Sequence, residues 1–450
     1  MYSSQSDRRI GDRRPSRHTD QMAGDRPRGE RMKPLWTVVV AAALTVTACA
    51  QGAEATSTAQ LTKASGVRFD EIGIDEVRSA ANELVEDTTG FGVDMLRQTG
   101  LDANKVVSPW GAMLALQMLR AGAGGTTAAE LDAALGVTDD DAIAAMIGQL
   151  DRVDGNPGDV DKENPPTPPV FHEATGIFID ESLEVGQDYL ATLGRVFDSG
   201  VYPVDFAASQ TEAAINKWLS INTGGQISET PTTYDPETVI SLLSTVFLAA
   251  AWQQPFSPAS TAPADFTPAN GAVGDVEMMN AVVDVPFGRG AGWTGVQLPY
   301  SAGLAMQVFL PETGVDTFFA DGALTDASNA LRSAPETSVA VSLPKWDITT
   351  AVDLKATLEQ LGVRDLFGDK ADLTAISPQL TVTAAAQNST ITVGEKGTLA
   401  ASVTQIDVGV TALPPQEPAE FFVANRPLVF QIIDTATGLP LFLGTMTKPR

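Results

Sequence analysis

Apolar residues recur along the chain with two different periods. Helical spacing runs over about 70–96 and again after Ser108-Pro109, where a serine able to cap a helix precedes a proline that needs no N–H in the first turn. The near-continuous apolar run at 239–248 is typical of a strand covered on both faces. Helical and strand patterns are interleaved without βαβ regularity or an internal repeat, which predicts an α+β fold.

Helix ends and turns are indicated by short polar or glycine-rich patterns. Thr127 with Glu130, and Ser209 with Glu212, have the spacing of a capping box, which predicts that a helix begins at each. The glycines at 122–125 follow a helix rather than a strand and lack a Lys-Ser/Thr pair, so we interpret them as a helix–helix turn and not as a phosphate-binding loop. The other predicted elements are strands at 304–310, 338–343, 428–433 and 441–444 and a helix at 353–361.

The N-terminal residues have the composition of an export signal. Residues 34–48 form an apolar run of about fifteen residues, roughly 22 Å as a helix, which is short of a hydrocarbon core of roughly 30 Å and favours a signal peptide. The only cysteine, Cys49, follows small residues in an arrangement that resembles a bacterial lipobox. We therefore predict a leader over 1–48, lipidation of Cys49 and a polar tether over 49–66. A plain secretory signal followed by a chance cysteine is the alternative, and either predicts export to the cell membrane or the medium.

Composition excludes several classes of function. The 450 residues carry 29 basic and 56 acidic side chains, a formal net charge of −27, so a nucleic acid is not expected as a partner. One cysteine and two histidines exclude an intrachain disulfide and a cysteine-rich zinc site, and no metal or cofactor is expected. A Ser-His-Asp triad would have to use His172, whose strand-like apolar context favours a structural role. No sequence motif indicates a catalytic Ser–Lys pair or a catalytic pair of carboxylates, so the chain is not expected to be an enzyme.

Several motifs, in their order and spacing from about residue 70 to the C-terminus, resemble the serpin family of serine protease inhibitors. The resemblance implies a single domain over 67–450 with three β-sheets, about nine helices and an exposed reactive loop over about 395–416. The motifs are Asn104-x-Val-x-Ser108-Pro109, Asn216-Lys217-Trp218, Trp252 with Pro255-Phe256, Leu298-Pro299-Tyr300, Phe309-Leu310-Pro311, Leu343-Pro344-Lys345-Trp346, Glu395-Lys396-Gly397-Thr398, Asn425-Arg426-Pro427 and Pro440-Leu441-Phe442-Leu443-Gly444.

The same resemblance points to the region beneath the central sheet that opens when the loop enters. It assigns four residues to this shutter and breach region, namely Ser108, Pro109, Ser244 and Trp252. Three positions of the shutter depart from the family's usual residues: Gly111 stands for Ser, Ser244 for Asn and Gln387 for His.

The resemblance also implies inhibition by a suicide-substrate mechanism. The protease cuts the loop and forms an acyl-enzyme, and the loop then inserts into the central sheet as a new strand. Insertion requires small side chains at the hinge and alternation beyond it, because every second side chain enters the core. The predicted hinge residues are Glu395, Gly397, Thr398, Ala400, Ala401 and Ser402. The inward set, small and then apolar without charge, is Thr398, Ala400, Ser402, Thr404, Ile406, Val408 and Val410.

Family spacing places the scissile bond at Thr411-Ala412, fourteen residues after Gly397. Thr411 offers neither a cation nor a large aromatic ring, so a trypsin-like pocket would leave its aspartate unpaired at a cost of a few kcal/mol. We expect the partner to be an extracellular serine protease of elastase-like or subtilisin-like specificity, with a cysteine protease as the alternative. Residues 142–150 contain no Lys or Arg, so no heparin-type polyanion is expected. The protein is expected to be a monomer.

A serpin that binds or carries a ligand at the cell surface without inhibiting is the main alternative. Such proteins commonly have charged, bulky or prolyl hinges, and this hinge has none. Leu399 stands where the family favours Glu, and Val403 where it favours Ala. A generic surface-adhesion lipoprotein would leave the alternating loop pattern unexplained.

Overall fold

Nine α-helices and fifteen β-strands form in the part of the chain that the structure describes. The structure is a computed structural model, and the described residues are 59–136, 139–230, 233–234, 236–269, 273–320, 322–399 and 417–448. The helices are α1 (Arg78–Thr99), α2 (Pro109–Arg120), α3 (Gly125–Leu135), α4 (Asp140–Leu150), α5 (Gln187–Phe197), α6 (Thr211–Asn222), α7 (Val315–Phe318), α8 (Ala323–Arg332) and α9 (Leu354–Gln360).

The strands make two hydrogen-bonded assemblies. The central sheet has the order β10-β11-β12-β4-β2-β3, and the second has the order β1-β15-β14-β8-β7-β6-β9-β13, with β5 paired to β6. The two ends of the long strand β6 pair with different neighbours, so this second assembly comprises a larger and a smaller sheet. The strands are β1 (Lys105–Val107), β2 (Val170–Asp180), β3 (Tyr202–Val204), β4 (Ile240–Ala251), β5 (Ala262–Phe266), β6 (Gly274–Gly290), β7 (Trp293–Pro299), β8 (Leu304–Pro311), β9 (Glu336–Pro344), β10 (Trp346–Asp353), β11 (Ala384–Gly394), β12 (Gly397–Thr398), β13 (Glu420–Val423), β14 (Leu428–Asp434) and β15 (Pro440–Met446).

The α+β prediction is confirmed, and the strongest local patterns form as expected. Ser108 caps α2 by accepting a hydrogen bond from the Gly111 N–H, and every residue of α2 from Pro109 to Leu119 is buried. Strand β4 is buried along almost its whole length. The glycines at 122–125 lie at the turn between α2 and α3, as predicted. Helix α1, in contrast, begins at Arg78 rather than near residue 70.

The predicted capping box at 127–130 is wrong, because its polar side chains bind another segment. The N-cap of helix α3 is Gly124, three residues before Thr127. The Thr127 hydroxyl accepts a hydrogen bond from the Asp372 N–H at 2.9 Å, and Glu130 accepts from the N–H groups of Arg364 and Asp365, both at 2.8 Å. The predicted box at 209–212 is wrong too, since no described side chain caps the start of α6.

Helix α2 joins the two sheet assemblies. It contacts β2 and β4 of the central sheet on one side and β15 on the other. Its side chains belong to a single continuous apolar core that also includes residues of α1, β8 and β14. The start of α2 is therefore held beneath the middle of the central sheet. None of the helices in the described ranges is both long and apolar enough to cross a membrane.

Candidate functional site

In the described ranges, β4 and β11 of the central sheet are separated by a gap that β12 fills in part. Strands β4 and β11 pair directly and in parallel from Ser241 with Ala384 to Val246 with Ser389. Further along, the two-residue strand β12 lies between them: Thr398 pairs with Val393 on one side and Ala250 on the other. The segment that follows Glu395 therefore enters the sheet for two residues.

Gly397 is placed where only glycine fits. Its φ of +153° is a conformation that residues with a side chain rarely adopt, and a Cβ atom there would lie 2.0 Å from the Ala250 carbonyl oxygen. The close approach of β12 to the backbone of β4 thus depends on the missing side chain. Thr398, the next residue, is only 1% exposed, and its hydroxyl is hydrogen-bonded to the hydroxyl of Tyr300.

Aromatic rings support this end of the sheet. Trp252, which follows β4, stacks on Tyr300 with ring centroids 4.4 Å apart and planes at 10°. Its indole N–H donates to the Gly394 carbonyl at 2.9 Å, and its backbone N–H donates to the Lys396 carbonyl at 3.0 Å. Trp252 therefore stacks on the ring that lies below Thr398 and donates hydrogen bonds to the two ends of the turn at Gly394–Lys396.

Glu395 is fastened by two side chains. Its carboxylate accepts hydrogen bonds from Thr261 Oγ1 at 3.0 Å and from Lys345 Nζ at 3.2 Å. Burial by itself would raise the pKa of Glu395, but hydrogen bonds from its own backbone N–H, Lys345 and Thr261 outweigh burial, so the pKa is lowered. The carboxylate is therefore charged at neutral pH and holds the start of the hinge to the residue before β5 and to the residue between β9 and β10.

The shutter residues meet below the middle of the central sheet. The Gln387 side chain spans the backbone of Ser108: its Oε1 accepts from the Ser108 N–H and its Nε2 donates to the Ser108 carbonyl, both at 2.8 Å. The Ser108 hydroxyl donates to the Leu441 carbonyl at 2.7 Å, and Ser389 Oγ donates to Gln387 Oε1 at 3.2 Å. These bonds connect β11 to α2 and β15 through an uncharged amide, where the family's usual residue is a titratable imidazole.

The other two departures from the family pattern lie against each other. A Cβ atom on Gly111 would lie 2.6 Å from Val246 Cγ2 and 2.8 Å from Ser244 Oγ. The space is thus closed to a side chain at 111. Ser244 Oγ is buried and makes no hydrogen bond with the described residues.

We expect Ser244→Ala to raise the thermal midpoint of the intact protein, because leaving a buried hydroxyl unsatisfied costs about 1–3 kcal/mol. Gly111→Ala should lower the midpoint, since overpacking of a filled core costs about 1–3 kcal/mol. Calorimetry of the two variants against wild type measures both effects. A lower midpoint for Ser244→Ala would show that its hydroxyl has a partner.

The family model "Serpin (serine protease inhibitor)" matches residues 86–449, well over half of the chain. The chain belongs to the serpin family. Serpins are mostly protease inhibitors rather than enzymes, and the three sheets and nine described helices are those of the serpin fold.

Similar serpins come from distant sources. The leukocyte elastase inhibitor of Bos taurus is 29% identical over 399 residues, which cover 83% of this chain and all of that protein. Iripin-2 of Ixodes ricinus is 29% identical, covering 81% of this chain and 94% of its own. Among solved structures, the thermophilic serpin tengpin in its native state has a TM-score of 0.73 at 26% identity, covering 87% of this chain and all of tengpin.

The structure describes only part of the predicted site. It brings together Glu395, Gly397, Thr398 and Trp252 at one end of the β4–β11 gap, and Ser108, Ser244 and Gln387 further along. Pro109 occupies the first position of α2. The predicted hinge residues Ala400, Ala401 and Ser402, the predicted scissile pair Thr411 and Ala412, and the predicted lipidation site Cys49 lie outside the described residues.

Sequence reasoning assigned no role to two residues of this site. Tyr300 and Lys345 belong to family-like motifs, but only the structure shows Tyr300 below Thr398 and Lys345 paired with Glu395. His172 is structural, as its context indicates: Nδ1 lies 3.0 Å from Asp154 Oδ1 and Nε2 lies 3.0 Å from Asn222 Oδ1. Both ring nitrogens are thus engaged by groups other than a serine.

Proposed function

We propose that this serpin inhibits a serine protease by a suicide-substrate mechanism, as a monomer. In this mechanism the segment after Thr398 is cut and then inserts between β4 and β11. The observation that carries the proposal is the position of β12, because its two residues already pair with both strands. The direct β4–β11 pairing beyond them is a parallel contact that an added antiparallel strand would replace with two ladders.

The β12 register defines where an inserted strand would lie. Thr398 pairs with Val393 and Ala250, so an antiparallel strand continued in this register would bring Thr404 between Gln387 and Ser244. Position 404 belongs to the predicted inward set, and the buried Ser244 hydroxyl lacks a partner among the described residues. Insertion would therefore place the Thr404 hydroxyl next to Ser244, whose buried hydroxyl lacks a hydrogen-bond partner among the described residues. The inward-facing set contains no charged side chain, so no charge would enter the core.

The target class follows from the proposed scissile bond. Thr411 suits a small or medium apolar specificity pocket, and an elastase inhibitor is among the similar serpins. Incubation of the domain with pancreatic elastase, subtilisin and trypsin should give an SDS-stable adduct with one of the first two, and N-terminal sequencing of the released fragment should begin at Ala412. Cleavage confined to residues upstream of Ile406, or elsewhere in the chain, would refute the site assignment.

A carrier serpin without inhibitory activity is the second candidate. Thyroxine-binding globulin, solved with thyroxine, shares the fold with a TM-score of 0.67 at 22% identity, a likeness that concerns the fold alone. Leu399, which stands where the family favours Glu, favours this reading, whereas the inserted Gly397-Thr398 pair favours inhibition. The incubation with elastase, subtilisin and trypsin distinguishes the two candidate functions, because a carrier would be cleaved without forming an adduct.

We further propose that the protein is exported and anchored through a lipid on Cys49, with the serpin domain beyond a polar tether. Its support is the apolar run that ends in small residues before the only cysteine. In a bacterial host, Cys49→Ser should move the protein from the membrane fraction to the medium or periplasm. An unchanged distribution would remove the lipoprotein proposal and leave the plain secretory signal.

A further inference from the structure

A proline-rich, acidic segment lies against the point where the hinge enters the central sheet. It comprises residues 154–169, between α4 and β2, and we call it the 154–169 loop. At its start Asp154 forms a β-bridge with Phe171, and its carboxylate oxygen Oδ1 accepts a hydrogen bond from His172 Nδ1 at 3.0 Å. Near its end the Pro166 carbonyl accepts a hydrogen bond from the Ala251 N–H at 3.3 Å. The loop is thus tied to β2 at one end and to β4 at the other.

Between these ties, the 154–169 loop contacts the hinge itself. Lys396 Nζ donates to the Glu163 carbonyl at 3.2 Å and to Asn164 Oδ1 at 2.8 Å. Val160 packs against a small apolar cluster that contains Leu399. The residues before and after Gly397-Thr398 are therefore both held by the same loop.

Leu399 is the residue at which the inserted chain changes direction. Its φ is +70°, a left-handed conformation that is uncommon for a residue with a side chain. Its N–H still donates to the Thr392 carbonyl at 2.7 Å. The side chain is only 6% exposed and lies with Phe247 and Ala249 of β4, with Val160 and Val170 packed on them. Apolar burial thus compensates for an unfavourable backbone conformation.

We propose that the 154–169 loop is a clamp that positions the hinge and limits its insertion to two residues. For a third residue to insert, Leu399 must change from the left-handed to the extended conformation. Its Cα–Cβ bond turns with the backbone, so its side chain must move within the pocket that Val160 helps to close. The Lys396 contacts hold the preceding turn against the same loop. The clamp therefore opposes further entry of the hinge while leaving Thr398 in place.

The positioning role can be measured in the intact protein by hydrogen exchange, without a protease. In Val160→Ala/Lys396→Ala, which removes the apolar wall and both side-chain bonds of Lys396, amide exchange over 392–399 should rise about tenfold. Exchange over 241–246, where β4 and β11 pair directly, should stay at the wild-type rate. Lys162→Ala is the matched control, because this exposed lysine of the same loop makes no hydrogen bond or ion pair within the described ranges.

A pair of Leu399 variants distinguishes positioning from general packing. Leu399→Met keeps an apolar side chain of similar volume, so its amides over 392–399 should exchange at the wild-type rate, whereas those of Leu399→Ala should exchange as fast as in the double variant. Wild-type exchange over 392–399 in the double variant would overturn the clamp, and so would an equal rise over 241–246, which would mean that the whole sheet loosens.

The consequence for inhibition rests on the proposed function. A released hinge should also shorten the half-time for conversion of the uncleaved protein to a heat-stable inserted form on warming, by about tenfold. The two proposals fail separately. If the wild-type protein traps no protease while the double variant opens its hinge, the inhibitory function fails and the clamp stands. If the wild type traps protease while the double variant exchanges like wild type, the clamp alone fails.

Discussion

Cleavage at Thr411-Ala412 is expected to raise the melting temperature of the protein by more than about 10 °C. In the intact chain, β4 and β11 pair directly over 241–246 and 384–389, and further along Gly397 and Thr398 are the residues of the described ranges that lie between them. Insertion of the cut segment would add a strand and bury three large aliphatic side chains, each worth about 1.5–3 kcal/mol on full burial. Those side chains are Ile406, Val408 and Val410.

The comparison requires only a catalytic amount of protease and calorimetry of intact and cleaved protein. Cleavage in a loop normally lowers or hardly changes the melting temperature, since it frees two chain ends. The same small change is expected for this protein if its loop is cut but does not insert. Melting of the cleaved and intact forms at the same temperature would therefore contradict the inhibitory proposal, while leaving membership of the family untouched.

Thr398→Arg is expected to convert the inhibitor into a substrate. Thr398 is 1% exposed, with its hydroxyl bonded to Tyr300 below the sheet and its backbone paired with Val393 and Ala250. An arginine there would have to bury a cation without a designed partner, which costs several kcal/mol, so β12 should leave the sheet and insertion should not begin. Acylation occurs at the distant Thr411 and should proceed normally, which gives the acyl-enzyme time to hydrolyse.

The measurement is the ratio of cleaved serpin to covalent adduct at completion of the reaction. Thr398→Ser is the matched control, because it keeps the hydroxyl that faces Tyr300 and should retain the adduct. We expect Thr398→Arg to be cut at the same bond as wild type with no detectable adduct. Adduct formation by Thr398→Arg at the wild-type ratio would show that entry of residue 398 is not required for trapping.

Short-range patterns in the sequence were sufficient for the elements whose cause is local. At the start of α2, Ser108 accepts a hydrogen bond from an N–H group of the first turn, and Pro109 has no N–H group that would need a partner. Helix α2 therefore begins where the pattern predicts. The continuous apolar run of β4 is typical of a strand whose side chains are buried on both faces of a sheet, and β4 is buried in this way.

Polar side chains were less predictable, because a side chain that can cap its own helix can also bond a distant one. Thr127 and Glu130 have the right spacing for a cap but bind the backbone of residues 364–372. The predicted start of α1 near residue 70 is wrong for a related reason. Residues 70–77 have helical spacing, yet Asp70 bonds the backbone and side chain of Arg195 instead.

The sequence alone therefore determined the fold class, the buried elements and, through motif order, the family. Only the tertiary structure decided how far the hinge enters the sheet and what holds it there. Lys396 bonds a loop more than 230 positions earlier in the chain, and Gln387 bonds the backbone of Ser108 279 positions away. The physical reason is that periodicity and capping act over a few residues, whereas Leu399 is held in its left-handed conformation by a pocket that exists only after β2, β4 and the 154–169 loop have come together.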